Sequence, residues 1–452
     1  MRLFGTNGVR GASNKDMSPD LALKLGKAIG SWLRKGDRVA IAKDPRTSGD
    51  MIESAVISGL LSTGVDVIDI GMLPTPALQF YVKNRDVDAG IMITASHNPP
   101  EFNGIKVVAG DGTELPRNEE EKIELRYFND DFRAVEWGDI GELRKDYTAR
   151  DLYIEGIVSK VDKEAIKSRK FTVVLDCANG ASSVTSPYIL KKLGCRVISL
   201  NAQPDGHFPG HESEPSPDNL KDLVSAVVES GADVGIAHDG DADRVIFIDE
   251  KGNYIQGDVS LAIMVKYSIK NEGDLVVTPV STSKALEDVV NSLGGKVVYT
   301  RVGAPIVARK MLEIGAIFGG EENGGLIFGE HQYCRDGAMG AAKMLEIMAK
   351  TGKKLSEIVS EIPRYALYKN KIRCPEHLKE KVMDAVAEEF SSYDVDRTDG
   401  VKVWMEDGWL LIRPSGTEPI FRIYAESESR EKAEKLGKIG YETIKNIVEG
   451  FE

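Results

Sequence analysis

The sequence predicts an α/β protein in which three similar α/β units are followed by a fourth domain of the α+β class. The first reason is a succession of strand, polar loop, helix and strand that occurs three times along the chain, as in an internal repeat. The second is that this pattern changes from about residue 366 onward. The length of 452 residues fits such a division, because an average domain has about 150 residues.

Each repeat begins with a short apolar strand, predicted at residues 38–42, 172–175 and 275–278. A polar loop and a helical spacing of apolar residues follow each strand. The helices are expected to end at glycines, because a residue in left-handed conformation often stops a helix. These glycines are Gly64, Gly194 and Gly294, and β-branched runs predict second strands at 65–70, 196–200 and 296–300.

A further helix and strand complete each repeat and lead into a polar loop. The third strands are predicted at 90–94, 234–237 and 316–318, and the loops at 95–99, 238–244 and 319–325. Strands that alternate with helices form sheets buried on both faces, and ligands bind beyond the carboxyl ends of such strands. The three polar loops are therefore the candidate functional segments.

The remaining chain predicts the α+β domain. Helices are expected at 376–390 and 430–448, and paired strands at 401–405 and 409–412 around Asp407-Gly408. The predicted domains are 1–150, 151–246, 247–365 and 366–452. We expect the linker near residues 365–371 to act as the hinge of the fourth domain.

The composition excludes several classes of protein. With 58 basic and 71 acidic residues the formal net charge is −13, and a negative surface repels nucleic acid and anionic membranes. The four cysteines form no CxxC pair, which fits neither a zinc cluster nor a disulfide framework. Residues 1–30 lack the apolar segment of a signal peptide, and no 18-residue apolar run occurs. We expect a cytoplasmic protein without nucleic-acid or membrane partners.

Asp239, Asp241 and Asp243 alternate directly after the third strand of the second repeat. Three carboxylates this close repel one another unless a cation lies between them, and oxygen ligands favour magnesium. A solvated acidic loop is the alternative. An EF-hand is excluded because its sixth position, which needs glycine, holds Arg244, and because residues 245–249 continue as a strand. An arginine beside a metal triad suggests a phosphate that both of them bind.

Ser96 and His97 follow the third strand of the first repeat, where neighbouring prolines predict a tight, exposed loop. A hydroxyl beside an imidazole suggests a nucleophile, and a capping serine is the alternative. Lys106 stands ten residues further on. It is a candidate for the same site, with a solvated surface lysine as the alternative.

Two further segments carry groups that suit a phosphosugar. Residues 413–419 combine a guanidinium, hydroxyls and a glycine, as a phosphate cradle requires, and Arg422 adds a second guanidinium. A tight turn with a capping hydroxyl is the alternative. Glu321 and Asn323 stand between glycine pairs and suit sugar hydroxyls, with a glycine-rich hairpin of exposed acids as the alternative. No GxxxxGK[ST] motif occurs, which excludes an ordinary P-loop.

Together these motifs resemble the α-D-phosphohexomutase family over essentially the whole chain. The signatures stand in the family's order as Phe4-Gly-Thr-Asn-Gly-Val-Arg-Gly11, Thr94-Ala-Ser-His-Asn-Pro99, Asp239-Gly-Asp-Ala-Asp-Arg244, Gly320-Glu-Glu-Asn-Gly324 and Arg413-Pro-Ser-Gly-Thr-Glu418. The opening segment resembles the phosphoglucosamine mutase branch, particularly its archaeal-type members. The resemblance implies three α/β domains and a mobile fourth around one central cleft.

The resemblance also implies a role for each candidate residue. Ser96 would carry the phosphoryl group and complete the magnesium ligand set of Asp239, Asp241 and Asp243. Lys106 matches the general acid/base, and the other implied catalytic residues are His97 and Arg10. The implied phosphate-binding residues are Arg244, Arg413, Ser415, Gly416, Thr417 and Arg422, and the implied sugar-binding residues are Glu321, Asn323, Val302 and Gly303.

The implied reaction interconverts hexose 6-phosphate and hexose 1-phosphate. Phospho-Ser96 would donate to a free hydroxyl of the sugar phosphate, and the bound 1,6-bisphosphate would turn over and return its other phosphate. One Mg²⁺ and an activating hexose 1,6-bisphosphate are the implied cofactors. The opening segment makes glucosamine phosphate the favoured substrate. Glucose and mannose phosphates are the alternative, because Ala304 stands where many relatives carry an acidic residue and Asn323 where bacterial phosphoglucosamine mutases usually carry serine.

Two rival functions follow from the same motifs. A non-catalytic regulator that binds phosphosugars would keep the cradle and the sugar loop, but it would need neither Ser96 nor the three aspartates. A Mg²⁺-dependent phosphatase would release inorganic phosphate instead of isomerising the sugar. Small-molecule phosphosugars are the expected partners in each case, and a homodimer is compatible with the sequence.

Overall fold

A computed structural model describes residues 2–5, 7–415 and 419–451 of the chain. Within these residues the strands form four sheets. The first three sheets mix parallel and antiparallel pairs, and the fourth is antiparallel throughout. The predicted fold class of three mixed α/β domains and a C-terminal α+β domain is confirmed.

The first domain has one sheet flanked by helices. Its strands are β1 (Val9–Ala12), β2 (Arg38–Lys43), β3 (Asp66–Met72), β4 (Ala89–Ile93), β5 (Phe102–Ala109) and β6 (Leu143–Lys145). Its helices are α1 (Pro19–Trp32), α2 (Gly49–Leu61), α3 (Thr75–Asn84) and α4 (Arg117–Asn129). The strand order is β1-β5-β4-β2-β3-β6, in which β5 is antiparallel to both of its neighbours.

The second domain shows where one predicted boundary is misplaced. Its helices are α5 (Ala149–Val158), α6 (Lys163–Arg169), α7 (Ser186–Lys192) and α8 (Lys221–Ser230), and its strands are β7 (Thr172–Asp176), β8 (Arg196–Leu200), β9 (Val234–His238), β10 (Val245–Asp249) and β11 (Tyr254–Ile255). A boundary between 246 and 247 would cut β10, which pairs with β9 along its whole length. We propose that the second domain ends after Ile255; the other predicted boundaries stay predictions.

The third domain contains a hairpin where the sequence predicts a loop. Its helices are α9 (Gly257–Ser268), α10 (Lys284–Ser292), α11 (Ala304–Ile314), α12 (Gly337–Thr351) and α13 (Leu355–Ser360), and its strands are β12 (Leu275–Pro279), β13 (Lys296–Thr300), β14 (Phe318–Glu321) and β15 (Gly325–Phe328). Because Glu321 pairs with Gly325, only residues 322–324 of the predicted loop remain as a turn.

The three repeats share one strand order. In each sheet the first strand (β2, β7 or β12) lies between the second (β3, β8 or β13) and the third (β4, β9 or β14) and is parallel to both. The fourth strand (β5, β10 or β15) is antiparallel to the third. The predicted stop residues Gly64, Gly194 and Gly294 have φ angles of 76°, 86° and 74°, which favour glycine. The internal repeat is confirmed.

The fourth domain is an antiparallel sheet covered by helices. Its strands are β16 (Ala366–Arg373), β17 (Asp394–Asp396), β18 (Val401–Met405), β19 (Gly408–Pro414) and β20 (Ile420–Ser427), and its α-helices are α14 (Lys379–Glu389) and α15 (Arg430–Phe451). The predicted helix at 376–390 begins with a 3₁₀ turn at Glu376–Leu378. The strands β16, β17 and β20 were not predicted.

The predicted hinge at residues 365–371 is wrong for most of its length. Strand β16 pairs with β20 from Ala366 to Arg373, so a large rotation there would break the ladder. The segment between α13 and β16, residues 361–365, is the part of this linker outside both elements. We therefore place the expected hinge at 361–365.

Lys402 joins the fourth domain to the third. Its Nζ donates to the carbonyl oxygen of Val280 at 2.7 Å and lies 5.3, 4.5 and 4.3 Å from the ring centroids of Tyr299, Trp404 and Trp409. The residue is buried, and burial lowers its pKa to about 8. At pH 7 most of this side chain is therefore charged and attracted to three aromatic faces.

Lys402→Met should loosen this interface, because the variant loses the cation–π contacts and leaves the Val280 carbonyl without its donor. We expect the free energy of unfolding to fall by about 2 kcal/mol, measured by denaturant titration with Trp404 and Trp409 as fluorophores. Lys369→Met is the control, since Lys369 is exposed and contacts one ring, that of Tyr424. Equal midpoints for both variants would contradict the role of Lys402.

Apolar side chains are gathered in internal cores. The largest core spans the second and third domains and includes Phe80 and Tyr81 of α3, and separate cores lie in the first and fourth domains. Packing between α3 and the second and third domains thus fixes the relative positions of the first three sheets.

Among the helices of the described residues, none combines the length and the apolar character needed to cross a membrane.

All four cysteines are buried. Cys177 and Cys195 lie in the second domain, Cys334 in the third and Cys374 in the fourth. Burial raises the pKa of Cys177 and Cys195 to about 12 and that of Cys334 well above its usual range. These three thiols are therefore protonated at neutral pH.

Candidate active site

The three polar loops occupy equivalent places in the three repeats. Ser96 follows β4, Asp239 follows β9, and Glu321 is the last residue of β14. Each loop thus stands at the carboxyl end of the third strand of its repeat, as the sequence predicts. Gly240 shows how closely two of them meet: a Cβ atom there would lie 2.6 Å from the carbonyl oxygen of Ser96.

Ser96 is buried and held in an unusual backbone conformation. Its φ angle is +54° and its exposed fraction is 1%. Its backbone N–H donates to Thr94 Oγ1 at 2.8 Å, and its Oγ donates to Asp239 Oδ2 at 2.9 Å. Within the predicted exposed loop Ser96 is thus buried while Pro99 is exposed, and the Ser96 hydroxyl points at the acidic triad.

Asp239, Asp241 and Asp243 form a compact, buried carboxylate cluster. One ligand oxygen of each lies within 4.8 Å of the others, and their exposed fractions are 0%, 0% and 2%. Burial excludes the solvated-loop alternative. The EF-hand is excluded as well, because β10 begins at Val245.

The charges in this cluster are unevenly compensated. Asp241 accepts from Lys106 Nζ at 2.7 Å and from Thr75 Oγ1 at 2.6 Å; although burial acts against it, the Lys106 ammonium holds the pKa of Asp241 well below its usual range. Burial and the carboxylates of Asp243 and Asp241 raise the pKa of Asp239 well above its usual range. A proton, or a cation in its place, is needed at Asp239.

The donor set fits a hard divalent cation. Asp241 Oδ1 and Asp243 Oδ1 are buried without a hydrogen-bond partner, so each offers an unused oxygen. Carboxylate and hydroxyl or phosphate oxygens are the ligands that Mg²⁺ prefers. Asp239, Asp241, Asp243 and the Ser96 side chain could therefore hold one Mg²⁺ between them.

Lys106 and Arg10 lie on adjacent strands beside Ser96. Lys106 is 1% exposed, which excludes the solvated-lysine alternative. Arg10 pairs with Gly104 across β1 and β5, and its Nη1 donates to Asn98 Oδ1 at 2.7 Å. Burial lowers the pKa of Arg10, and its Nε is buried without a partner. A phosphate on Ser96 would supply the missing acceptor.

His97 and Arg244 form a second polar pair at the loop. Arg244 Nη2 donates to His97 Nδ1 at 3.0 Å, and Arg244 Nη1 bonds both Glu214 carboxylate oxygens at 2.9 and 3.1 Å. Burial and the Arg244 charge hold the pKa of His97 well below its usual range. His97 is thus a neutral acceptor here, and Arg244 is held close to the triad.

Arg335 is a site residue that sequence reasoning missed. It donates to Asp243 Oδ2 and, at 3.1 Å, to Glu321 Oε2, so it connects the triad with the predicted sugar loop. Arg335 directly precedes Asp336, which caps α12 by accepting from the Met339 N–H, but nothing in the neighbouring sequence marks Arg335 itself. Thr75, the first residue of α3, was missed as well.

The structure brings the sugar-loop residues of the third domain next to the fourth domain. Glu321 Oε1 accepts from the Gly303 N–H at 3.1 Å, and burial raises the pKa of Glu321. The Val302 N–H donates to Asp399 Oδ2 at 3.0 Å. The same carboxylate oxygen pairs with Arg413 Nε at 3.1 Å. Asn323 Oδ1 accepts from the backbone of its own hairpin. The alternative of a glycine-rich hairpin with exposed acids is therefore right about the hairpin and wrong about the exposure of Glu321, which is buried.

Arg413 and Arg422 face each other on adjacent strands. They are direct partners in the ladder between β19 and β20, where side chains point to the same face and like charges repel. Asp399 already pairs with Arg413 Nε, and the face that carries both guanidinium groups suits an anion such as a phosphate. Ser415 is buried, and its N–H donates to the carbonyl oxygen of Ile420. Gly416 and Thr417, the other predicted cradle residues, lie outside the described residues.

Family models match four consecutive segments of the chain. Residues 1–134, 151–252 and 256–365 match the alpha/beta/alpha domains I, II and III of phosphoglucomutase/phosphomannomutase. Residues 371–438 match its C-terminal domain. The matches therefore extend over most of the chain.

Similar proteins align over the full length. A phosphoglucomutase/phosphomannomutase of Thermococcus kodakarensis is 48% identical and aligns over 99% of this chain and 100% of its own. A phosphoglucosamine mutase of Methanococcus maripaludis is 43% identical over 100% of both chains. The crystal structure of a phosphoglucomutase/phosphomannomutase family protein from Burkholderia thailandensis shares 29% identity with a TM-score of 0.90, over 98% of this chain and 97% of that chain. The chain thus belongs to the phosphoglucomutase/phosphomannomutase family of α-D-phosphohexomutases.

Proposed function

We propose that this chain is a phosphohexomutase that moves a phosphoryl group between O6 and O1 of a hexose through phospho-Ser96. The observation that carries the proposal is the Ser96 hydroxyl, which is buried and bonded to one of three clustered carboxylates. A regulator that only binds phosphosugars would need no such arrangement. Membership of a family whose named relatives are mutases supports the same function.

The cation proposed for the carboxylate cluster is Mg²⁺, held by Asp239, Asp241, Asp243 and the Ser96 side chain. When bound, it would neutralise charge on the phosphoryl oxygens during transfer. Arg244 and Arg10 would contact the remaining phosphate oxygens, because each has a buried Nε without a hydrogen-bond partner. His97, which accepts a bond from Arg244, would help to orient that guanidinium.

Lys106 is the proposed general acid/base. Its Nζ lies 2.7 Å from Asp241 Oδ2 and 3.7 Å from Asp243 Oδ2, in the same carboxylate cluster to which the Ser96 hydroxyl is bonded. In the first half-reaction Lys106 would enter as the neutral amine and take the proton of the attacking sugar hydroxyl, becoming an ammonium, while the Ser96 Oγ–P bond breaks and Oγ leaves as an alkoxide. In the second it would return a proton to the sugar oxygen that loses its phosphate to Ser96.

The remaining residues are proposed to hold the sugar and its second phosphate. Glu321, Asn323 and the loop at Val302 and Gly303 would bind hydroxyls, and the cradle of Arg413, Ser415, Gly416, Thr417 and Arg422 would bind the phosphate that is not reacting. The bisphosphate must turn over between the half-reactions, so one cleft accepts it in two orientations. Hexose 1,6-bisphosphate is accordingly the proposed activator.

Glucosamine phosphate is the proposed sugar, and glucose and mannose phosphates are the alternative. Both names occur among similar proteins at comparable identity. A coupled assay of the purified protein with glucosamine, glucose, mannose and pentose phosphates tests the proposal directly. Isomerisation of glucosamine phosphate with the highest kcat/KM would support it, whereas release of inorganic phosphate would favour a phosphatase and binding without turnover a regulator. Cytoplasmic location and a homodimer remain predictions.

Arg413→Ala and Lys106→Ala should affect different kinetic constants. Arg413 is proposed to hold the non-reacting phosphate in ground and transition states alike, so its loss should raise KM at least about tenfold with a smaller fall in kcat. Lys106 acts in the transition state, so its loss should lower kcat by about 10²-fold with little change in KM. Steady-state kinetics with the preferred sugar phosphate measures both.

Arg397→Ala provides the control for this comparison, because Arg397 is an exposed arginine of the fourth domain that pairs with Asp384. It should leave both constants unchanged. If Arg413→Ala removed kcat and left KM intact, the cradle would belong to the reacting phosphate and the proposed division of roles would be wrong.

A further inference from the structure

Ser96 adopts a backbone conformation that its side chain does not favour. A φ of +54° is left-handed, and such a conformation in a residue other than glycine persists only where surrounding contacts fix it. The loop from Ala95 to Glu101 forms no helix or strand, so it cannot supply those contacts through its own ladder. The contacts come from Arg46, a buried arginine in the loop between β2 and α2.

Arg46 uses five hydrogen bonds, as many as a guanidinium has N–H groups. Nη2 donates to the carbonyl oxygens of Ser96 at 2.8 Å and Asn98 at 2.6 Å, and Nη1 donates to those of Pro99 at 2.6 Å and Phe102 at 2.8 Å. Nε donates to Asp44 Oδ2 at 3.1 Å. The four carbonyls belong to the segment that starts at Ser96, so one planar group sets the path of that segment.

Asp44 fixes the other side of the same residue. Its Oδ2 accepts from Thr94 Oγ1 at 2.5 Å, and Thr94 Oγ1 in turn accepts from the Ser96 N–H at 2.8 Å. Its Oδ1 accepts from the Arg46 N–H at 3.0 Å. The Ser96 N–H is thus connected to Asp44 through Thr94 Oγ1, and the Ser96 C=O is bonded directly to Arg46. Both backbone groups of Ser96 are held by the ion pair of Arg46 and Asp44.

The second domain closes over this pair. The Phe208 ring lies on the Arg46 guanidinium with 5.0 Å between ring centroid and Cζ, and Arg46 is 2% exposed. Because the guanidinium is enclosed and its donors already have acceptors, it is not arranged to bind a phosphate. Its part differs from that of Arg10 and Arg244, each of which has a buried Nε without a hydrogen-bond partner.

We propose that Arg46, supported by Asp44, is a positioning residue that holds Ser96 in its left-handed conformation and keeps Oγ aimed at Asp239. This inference rests on the proposed function of Ser96 as the phosphoryl carrier. A misplacement of about 1 Å at a reacting atom can cost about 10²-fold in rate. We call the hydrogen bonds from Arg46 to the carbonyls of the Ser96 segment the clamp. Its loss should therefore reduce phosphoryl transfer, although Arg46 is not proposed to contact the sugar or its phosphates.

The test compares Arg46→Lys and Arg46→Met with Arg133→Lys and Arg133→Met. Arg133 is a matched control, because it lies in the same domain and bonds the carbonyl oxygens of Gly30, Leu33 and Thr63 at 2.6–2.7 Å far along the chain from the Ser96 loop. Both arginines hold backbone, but one of them holds the loop of the nucleophile. The lysine variants keep the charge and lose the planar fork, which guards against an unfolded methionine variant.

We expect both Arg46 variants to lower kcat by about 10²-fold while KM for the sugar phosphate changes less than about threefold. Hydrogen exchange at the Ser96, Asn98 and Phe102 amides should accelerate, since these amides are bonded within the clamped loop. The Arg133 variants should lower the melting temperature and keep the wild-type kcat. Arg46 variants with wild-type kcat, or kcat losses that follow melting temperature equally at both arginines, would overturn the inference.

Failure of the proposed function gives a different result. In that case the wild-type protein itself would show no phosphorylated fraction and no mutase turnover, whatever the variants do. Loop exchange would still respond to Arg46 if the clamp exists. Wild-type turnover together with unchanged exchange and kcat in the Arg46 variants would refute the clamp alone.

Discussion

Replacing Ser96 by alanine is expected to lower mutase turnover by at least about 10³-fold, because the phosphoryl group then has no acceptor on the protein. The side chain that is lost is a single hydroxyl bonded to Asp239, so the fold should persist. Coupled kinetics measures the turnover. Intact-protein mass spectrometry should show a phosphorylated fraction in the wild type that is missing from the variant.

Ser183→Ala is the matched control, since Ser183 is also a buried serine. Its Oγ donates to the backbone carbonyl of Gly180 and not to a carboxylate of the cluster. It should keep both turnover and the phosphorylated fraction. Wild-type protein treated with a phosphatase should regain activity only after addition of a hexose 1,6-bisphosphate. Normal turnover in Ser96→Ala would show that the phosphoryl group travels by another route.

Removal of the proposed cation should abolish activity, and Mg²⁺ should restore it. Asp241→Asn should weaken Mg²⁺ binding and lower kcat by about 10²-fold or more, because the change removes one of three clustered charges and the anionic partner of Lys106. Activity in EDTA and after Mg²⁺ addition provides the first measurement. The second is melting temperature, which should rise with Mg²⁺ in the wild type and much less in the variant.

Asp249→Asn controls for the loss of a buried carboxylate in the same domain. Asp249 accepts from the backbone N–H groups of Lys251 and Asn253, outside the cluster. Its variant should retain Mg²⁺-dependent stabilisation. Full wild-type activity in excess chelator would mean that the three aspartates serve another purpose.

Much of the fold was predictable because the repeats carry local signals. The apolar first strands and the glycines at 64, 194 and 294 mark chain reversals that depend on nearby residues alone. Strand β16 carries no such signal: its residues alternate in burial, but Lys369, Lys371 and Arg373 give it a charged sequence. Its conformation comes from pairing with β20, a partner that begins 47 residues beyond the end of β16.

The candidate site was predictable where its residues cluster along the chain. Three alternating aspartates, and a serine followed by His97 and a pair of prolines, can be recognised from their neighbours. Arg335 and Thr75 cannot, because each gains its part from one bond across a domain interface, such as that between Thr75 and Asp241. Burial of Lys106 was equally hidden, since its partner Asp241 lies 135 residues away.

The four buried cysteines change what the cysteine pattern says about the protein's surroundings. Thiols with a pKa of about 12 contain only a trace of reactive thiolate at neutral pH, and burial keeps oxidants from Cys334 and Cys374 as well. The folded chain should therefore tolerate an oxidising medium as well as a reducing one. Sulfenylation or disulfide exchange would report unfolding of the second, third or fourth domain, and the absence of CxxC pairs does not by itself tie this protein to a reducing compartment.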